Sequence, residues 1–212
     1  MRKEKFVTGE YYHVYNRGVD KRSIIQDQSD CQRFLQGLTE FNTLEPIGSI
    51  FENSYKKDRP NSNLVDIVAF CLNPNHFHLL LFAKIDDGIS KFMHRLSTGH
   101  TKYFNEKYVR SGSLFQGVFK ARHVSDDEYF LYLSAYINLN DRVHQLGSEA
   151  SKLVRSSWDE YLSSPKNRIS TPEHILNQFN NVLEYKKFSE DSLKLMLEHK
   201  QEEKELKELF HE

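Results

Sequence analysis

A short stretch near the middle of the chain, residues 67–83, constrains the fold more than any other. Two apolar runs, at residues 67–72 and 79–83, flank an Asn-Pro-Asn sequence at residues 73–75. Asn and Pro favour turns, and each run has the length of a strand, so the stretch predicts a β-hairpin. The two strands of a hairpin are antiparallel, so we expect an antiparallel sheet in this chain.

His76 and His78 open the second strand of this hairpin. Side chains alternate across a strand, so both imidazoles lie on one face while Phe77 points to the other. Imidazole nitrogen is a good metal ligand, and the strand fixes the spacing of two such ligands. The spacing is short enough to arise by chance, so a pair of ordinary polar strand residues is the alternative interpretation.

Elements on both sides of the hairpin extend the pattern. The β-rich residues 10–15 precede a helical repeat of apolar residues at about 30–43. After the hairpin, Gly88 precedes a second helix, and residues 114–124 predict a fourth strand. This order, βαββαβ with an antiparallel hairpin at its centre, is the ferredoxin-like pattern. We therefore predict an α+β fold in which the helices lie on one face of an antiparallel sheet, with a helical C-terminal extension.

A third helix follows the predicted sheet. Residues 125–128 have the form of a capping box, and the aromatic-rich residues 129–140 continue the helix. Tyr136 and Asn140 are four residues apart, so they lie on the same face of it. An aromatic-rich helix is usually part of a core, so the pattern alone does not assign chemistry to Tyr136. Residues 44–63 are polar and predict an insertion loop without an assigned function.

Composition restricts the class of protein. The chain has 212 residues, of which 38% are hydrophobic and 13% aromatic, as is typical of a globular protein with a core. Only two cysteines occur, Cys31 and Cys71, which indicates no disulfide framework and fits a reducing compartment. No segment approaches the ~20 apolar residues of a membrane helix. We expect a soluble cytoplasmic protein that has no membrane partner.

The charges are distributed unevenly along the chain. The formal net charge is -1, which argues against indiscriminate binding of nucleic acid. Residues 91–123, however, contain seven Lys or Arg and a single acid, Glu106. Because Tyr and Phe are interleaved with these cations, the segment suits single-stranded or structured DNA. A solvated helix face is the alternative.

Five segments of the chain carry recognisable motifs in a fixed order. They are Tyr12–Gly18, Asn73–Leu80, Gly112–Gly117, Tyr136–Asn140 and Ser156–Trp158. In this order the chain resembles the HUH single-tyrosine transposases, and within them the REP-associated tyrosine transposases. The resemblance covers about residues 10–162, so we predict a catalytic domain at residues 1–162 and a charged helical extension at residues 163–212.

The resemblance implies a metal-dependent endonuclease and transposase that acts on single-stranded DNA. It implies that Tyr136 is the nucleophile, which forms a 5′-phosphotyrosine, and that His76, His78 and Asn140 bind a divalent metal. Two imidazoles and an amide oxygen suit Mg or Mn, with zinc as an alternative. The chain has Asn140-Asp141-Arg142-Val143 where the family commonly has Asn-Pro-Val-Arg. Without this proline, the helix is free to continue towards His144.

The expected partner is single-stranded or hairpin DNA, which implies association with the nucleoid, and the protein is expected to be a monomer or a homodimer. The predicted DNA-binding residues are basic side chains at the end of the first strand, on the second helix and on the fourth strand. They are Arg17, Lys91, Arg95, Lys102, Lys120 and Arg122.

Three alternatives stay open from the sequence. A DNA-binding protein that has lost cleavage would not need His76, His78, Tyr136 and Asn140 together. A rolling-circle initiator or relaxase shares the two histidines and the tyrosine, but usually carries a further large domain. A two-histidine RNA phosphoesterase would need a second histidine motif, which this chain lacks.

Overall fold

Five strands form one antiparallel sheet in the computed structural model, which describes residues 5–54, 62–145 and 147–209. The strands are β1 (Tyr11–Arg17), β2 (Val65–Leu72), β3 (His76–Ala83), β4 (Lys120–Val124) and β5 (Arg155–Ser156). The helices are α1 (Gln28–Glu40), α2 (Ile50–Ser54), α3 (Gly88–Lys107), α4 (Asp127–Asn138), α5 (Asn140–Val143), α6 (Ser148–Ser151), α7 (Trp158–Ser163), α8 (Glu173–Leu176) and α9 (Val182–Leu209).

The strand order is β4-β1-β3-β2-β5, and every pair is antiparallel. The first four strands follow the order of the ferredoxin-like fold, as the sequence predicts. β2 and β3 form the predicted hairpin, and the Asn73 N–H closes its turn by donating to the His76 carbonyl at 2.8 Å. The hairpin places the start of β3 in the middle of the sheet, next to β1.

One face of the sheet packs against α1 and α3. Phe77, Leu79 and Leu81 of β3 point to this face, where they form a core with Phe34 of α1 and Phe92 of α3. All five side chains are at most 1% exposed. The two helices of the βαββαβ pattern therefore lie on one face, as predicted.

The opposite face packs against α4, a helix that the βαββαβ pattern does not place. Leu80 of β3 and Val68 of β2 contact a second core that includes Leu133 and Ile137 of α4. Successive residues of β3 alternate between the two cores, so the even-numbered positions of this strand face α4. This arrangement brings the helix that carries Tyr136 onto the histidine face of the sheet.

Several predicted bounds differ from the structure, and two of the differences have a clear local cause. The first helix begins at Gln28 rather than about residue 30, because the Asp27 carboxylate accepts the Asp30 N–H and caps it there. The fourth strand begins at Lys120 rather than residue 114. Glycines with positive φ, at 86° for Gly112 and 68° for Gly117, turn the chain before this strand.

The predicted insertion loop at residues 44–63 is only partly described. It contains the short helix α2, Ile50–Ser54. Residues 55–61, which include four consecutive charged residues at 56–59, lie outside the described residues.

The C-terminal extension packs against α4. Tyr185 of α9 is fully buried, and its hydroxyl accepts a hydrogen bond from Asn138 Nδ2 at 2.8 Å and lies 3.3 Å from Ser134 Oγ. Further along α9, Lys200 Nζ donates to the Val143 carbonyl at 2.8 Å. The division of the chain at residue 162 stays a prediction, but the extension contacts the helix that carries Tyr136. In the described part of the chain, no helix is both long and apolar enough to cross a bilayer.

Tyr185→Phe should lower the free energy of unfolding by about 1–3 kcal/mol, because Asn138 Nδ2 would lose this acceptor in a buried position. Tyr129→Phe is the matched control, since the Tyr129 side chain on α4 is only partly buried. Urea denaturation of both variants measures the difference. Equal small effects would mean that the buried hydroxyl does not stabilise the docking of α9.

Candidate active site

The start of β3 presents two imidazoles to the α4 side of the sheet. The rings of His76 and His78 are 5.2 Å apart at an interplanar angle of 87°. Phe77 between them is 1% exposed and packs against Phe34 and Phe115 on the opposite face. The predicted alternation along this strand is confirmed.

His78 is fixed by a neighbour on the adjacent strand. Its Nδ1 lies 2.9 Å from Nε2 of His13, which β1 places on the same face of the sheet. This hydrogen bond orients the ring and leaves Nε2 of His78 as the nitrogen that can face a ligand. Burial holds the pKa of His78 well below its usual range, and the neighbouring His13, His76 and His144 act in the same direction. His78 is therefore neutral at neutral pH, as a metal ligand must be.

His76 is oriented by the turn that precedes it. Its Nδ1 lies 2.6 Å from Asn75 Oδ1, and its Nε2 lies 3.0 Å from Asn73 Nδ2. Because an amide oxygen only accepts, this network assigns the proton to Nδ1 and leaves a lone pair on Nε2. Burial lowers the pKa of His76, and the neighbouring His144 lowers it further.

Asn140 brings an amide oxygen to the same place from the helical side. The residue is fully buried, its Oδ1 accepts from Asn73 Nδ2 at 2.8 Å, and this oxygen lies 3.3 Å from His76 Nε2. Lone pairs of His76 Nε2 and Asn140 Oδ1 thus lie close together, although the two residues are 64 positions apart in the chain. The chain stays helical beyond Asn140, as the missing proline led us to expect, but with a break at Leu139 between α4 and α5.

This donor set fits a divalent metal. It offers two neutral imidazole nitrogens and one amide oxygen, and a cation would take the place of the Asn73 Nδ2 donor that His76 Nε2 and Asn140 Oδ1 share. Within the described ranges, no group of three or more His, Cys, Asp or Glu side chains could hold an ion. The amide oxygen of Asn140, which the resemblance implies as the third ligand, lies 3.3 Å from His76 Nε2. The assignment of His76, His78 and Asn140 as ligands stays a prediction.

Tyr136 lies against this set of donors. Its ring is 5.5 Å from the ring of His78 at 81°, and the side chain is half-buried. Burial raises the pKa of Tyr136, while the Asn140 side chain acts in the opposite direction. Asn140 Nδ2 is buried and, among the described residues, makes no hydrogen bond. This amide can thus offer its oxygen to a metal and its N–H to a phenolate or phosphate oxygen.

A cleft of about 660 Å³ opens over the imidazoles and Tyr136. Three cations line it, of which Arg17 and Lys120 are predicted DNA-binding residues and Lys21 is not. The predicted Arg122 lies on the same face, because the register pairs Lys120 with Tyr15 and Arg122 with His13. The positions of Arg17, Lys120 and Arg122 suit a strand of DNA that crosses the site.

The predicted cations of α3 lie elsewhere. Lys91, Arg95 and Lys102 are on α3, which packs against the face of the sheet opposite to His76 and His78, so they do not line the site. Arg95 donates to the Thr43 and Leu44 carbonyls, which indicates a structural role. The three residues precede β4 closely in the sequence. However, α3 packs on the face of the sheet opposite to the one on which Lys120 and Arg122 lie. Whether these three side chains contact DNA stays a prediction.

Sequence reasoning missed four residues of the site. His13, Asn73 and Asn75 hold the two imidazoles, and the ring of His144 lies 5.4 Å from that of His76. Strand alternation could have placed His13 on one face with Tyr15, but it could not have shown that β3 lies alongside. The roles of Asn73 and Asn75 were obscured because both residues also make a turn.

Comparison with known proteins gives one family and a fold. The family described as "Transposase IS200 like" matches residues 7–140. The comparison with curated proteins gave no match. A solved structure of a REP-associated tyrosine transposase bound to a REP hairpin is 16% identical, with a TM-score of 0.53 over 81% of this chain and 90% of that chain.

A second solved structure, a putative transposase from Deinococcus radiodurans R1, is 16% identical over 65% of this chain and 95% of that chain, with a TM-score of 0.37. The likeness to the REP-associated enzyme agrees with the fold described above. The family match is independent of that likeness and spans well over half of the 212 residues. The chain therefore belongs to the IS200-like transposase family.

Proposed function

We propose that this protein is a metal-dependent transposase that cuts single-stranded DNA and rejoins it through a 5′-phosphotyrosine on Tyr136. The observation that carries the proposal is the contact between Tyr136 on α4 and His78 on β3, whose rings are 5.5 Å apart. The proposed nucleophile and two proposed metal ligands, His76 and His78, line one cleft together with three cations. Asn140 is the third proposed ligand, and its Oδ1 lies 3.3 Å from His76 Nε2.

The chemistry is a transesterification at phosphorus. Tyr136 Oη attacks the scissile phosphate, the bond from phosphorus to the 3′ oxygen breaks, and the 3′ oxygen takes up a proton equivalent to the one that the phenol loses. The products are a 5′-phosphotyrosine and a free 3′-OH. Attack by a second 3′-OH reverses these bonds and joins a new strand without a nucleotide cofactor.

The environment of Tyr136 explains why it needs assistance. Burial raises the pKa of Tyr136, so the phenol is protonated at neutral pH. Mg or Mn held by His76, His78 and Asn140 would neutralise charge on the phosphate when bound. The side chain of Asn140 opposes part of this rise in the pKa of Tyr136 and so favours the phenolate that forms during attack.

The proposed substrate is single-stranded DNA next to a folded hairpin. The solved relative was captured with a REP hairpin, and the cations Arg17, Lys21 and Lys120 of this chain suit a phosphate backbone. A phosphate inside a plain duplex has a second strand beside it, which would keep it from a tyrosine that is half-buried on a helix. We therefore expect little cleavage of duplex DNA.

Incubation of the protein with end-labelled hairpin DNA and Mg or Mn tests the proposal. A covalent protein–DNA adduct on a denaturing gel is expected, with none on duplex of the same sequence and none in EDTA. Tight binding of the hairpin without any adduct would instead identify a DNA-binding protein that has lost cleavage.

Replacing Lys120 and Arg122 together with Gln should weaken binding to single strands of any sequence. Loss of two phosphate contacts should reduce the slope of log affinity against log salt by about 1.4, since each contact contributes about 0.7 on single strands. Titrations at several salt concentrations measure this slope.

The matched control replaces Lys91 and Lys102 with Gln, which removes the same charge from the opposite face of the sheet. It should leave the salt slope nearly unchanged. A larger effect of this pair would mean that DNA binds across α3 and not across the cleft.

A further inference from the structure

A second cleft, of about 580 Å³, lies on the other side of Tyr136. It shares Tyr15, His78 and Tyr136 with the first cleft, so the two are adjoining parts of one surface. Its volume falls within the range of pockets that enclose a small organic ligand. A strand that presents its phosphate to Tyr136 from the first cleft would continue into the second.

Aromatic side chains form one wall of the second cleft. Tyr129, Tyr132 and Tyr136 all line it, and their spacing of i, i+3 and i+7 places them on one face of α4. Each is half-buried, so part of each side chain is accessible from the cleft. Aromatic surfaces of this kind stack on unpaired bases, and they do so with little regard to sequence.

Cations reach the cleft from two other elements. Arg122 of β4 lies with its guanidinium 5.0 Å from the centre of the Tyr129 ring. Lys200 of α9 lines the opposite side, where its Nζ is held 2.8 Å from the Val143 carbonyl. The lining also includes the acid Glu203. Aromatic rings flanked by cations are the combination that binds unpaired nucleotides.

We propose that the second cleft binds one unpaired nucleotide next to the scissile phosphate, with its base against Tyr129 and Tyr132 and its phosphate near Arg122 and Lys200. This proposal rests on the proposed function, because it takes the course of the strand from the position of Tyr136. It makes α9 of the C-terminal extension part of the substrate site. The nucleotide must be unpaired, because a base within a duplex offers no free face to the tyrosines.

The test measures binding in the full chain with Tyr136→Phe, so that no cleavage interferes. The probes are fluorescent dT12 and a 12-mer of the same backbone that lacks bases. Tyr132→Leu should weaken binding of dT12 by about fivefold or more, in line with the loss of one stacked base, and should leave the abasic strand unchanged. Tyr132→Phe keeps the ring and should bind dT12 as the background protein does.

Lys200→Gln should weaken binding of both probes, because a phosphate contact does not depend on the base. Lys194→Gln is the matched control on the same helix, since the Lys194 side chain pairs with Asp191 and lies outside the cleft. Thermal unfolding of each variant separates loss of binding from loss of the contact between Lys200 and Val143.

An equal loss of both probes in Tyr132→Leu, or no loss of dT12, would overturn the proposal. A wild-type protein that forms no adduct would contradict the proposed function, yet base-dependent binding through Tyr132 would still be measurable. Adduct formation together with dT12 binding that does not depend on Tyr132 would support the proposed function. It would contradict the proposal that this cleft binds the nucleotide.

Discussion

Tyr136→Phe is expected to abolish the covalent protein–DNA adduct while leaving the fold and the affinity for DNA intact. The change removes only the hydroxyl, which is the proposed nucleophile, so strand cleavage should fall by more than about a thousandfold. The ring would keep its contact with His78 at 5.5 Å, so we expect a change of less than about 1 kcal/mol in stability. Denaturing gels measure the adduct, and binding titrations and urea unfolding test the rest.

Tyr132→Phe is the matched control, because Tyr132 lies one turn earlier on the same face of α4. It should still form the adduct. Both tyrosines pack beside a small cluster that includes Val143 and Met196, but the ring of Tyr136 also lies 5.5 Å from the ring of His78. An adduct that persists in Tyr136→Phe and disappears in Tyr132→Phe would identify Tyr132 as the nucleophile.

His76→Ala and His78→Ala are each expected to abolish cleavage in Mg or Mn. Each change removes one of the nitrogens that the structure orients through a hydrogen-bonded neighbour, Asn75 for His76 and His13 for His78. Metal binding can be measured apart from cleavage, since a bound ion stabilises the folded protein. Added Mn should raise the melting temperature of the wild-type protein and have little effect on either variant.

Phe77→Ala is the contrasting change within the same strand. Phe77 is 1% exposed and packs between Phe34 and Phe115, so its truncation should cost about 3–5 kcal/mol of stability. At temperatures where the variant is folded, its cleavage and its response to Mn should resemble those of the wild-type protein. A stable but inactive Phe77→Ala together with active histidine variants would contradict the assignment of the two faces.

The sequence by itself determined the local features of this protein. Residues 67–83 specify the hairpin, because turn-forming residues separate two apolar runs of strand length. The alternation of side chains then puts His76 and His78 on one face and Phe77 on the other, which the structure confirms. The order of strands and helices also follows from local patterns, and it led to the ferredoxin-like sheet. These features are predictable because each depends on residues that are close in the chain.

Tertiary structure alone decided what surrounds the two imidazoles. His13 reaches His78 across 65 residues, and Asn140 reaches His76 across 64, because β1 pairs with β3 and α4 packs on the histidine face. The face on which a helix packs depends on where its connecting chain crosses the sheet. The residue pattern of α4 does not indicate which face of the sheet the helix packs on. The pattern of α3 likewise does not indicate that Lys91 and Lys102 lie on the other face.

The contribution of α9 to the site depends on tertiary structure for the same reason. Its residues belong to the extension that the sequence predicts to be helical and charged, and nothing local connects them with Tyr136. Burial of Tyr185 against Asn138 fixes α9 along α4, and this contact places Lys200 beside the cleft. Lys200 thus lines the same cleft as the proposed nucleophile, because packing, unlike periodicity, joins residues that are distant in sequence.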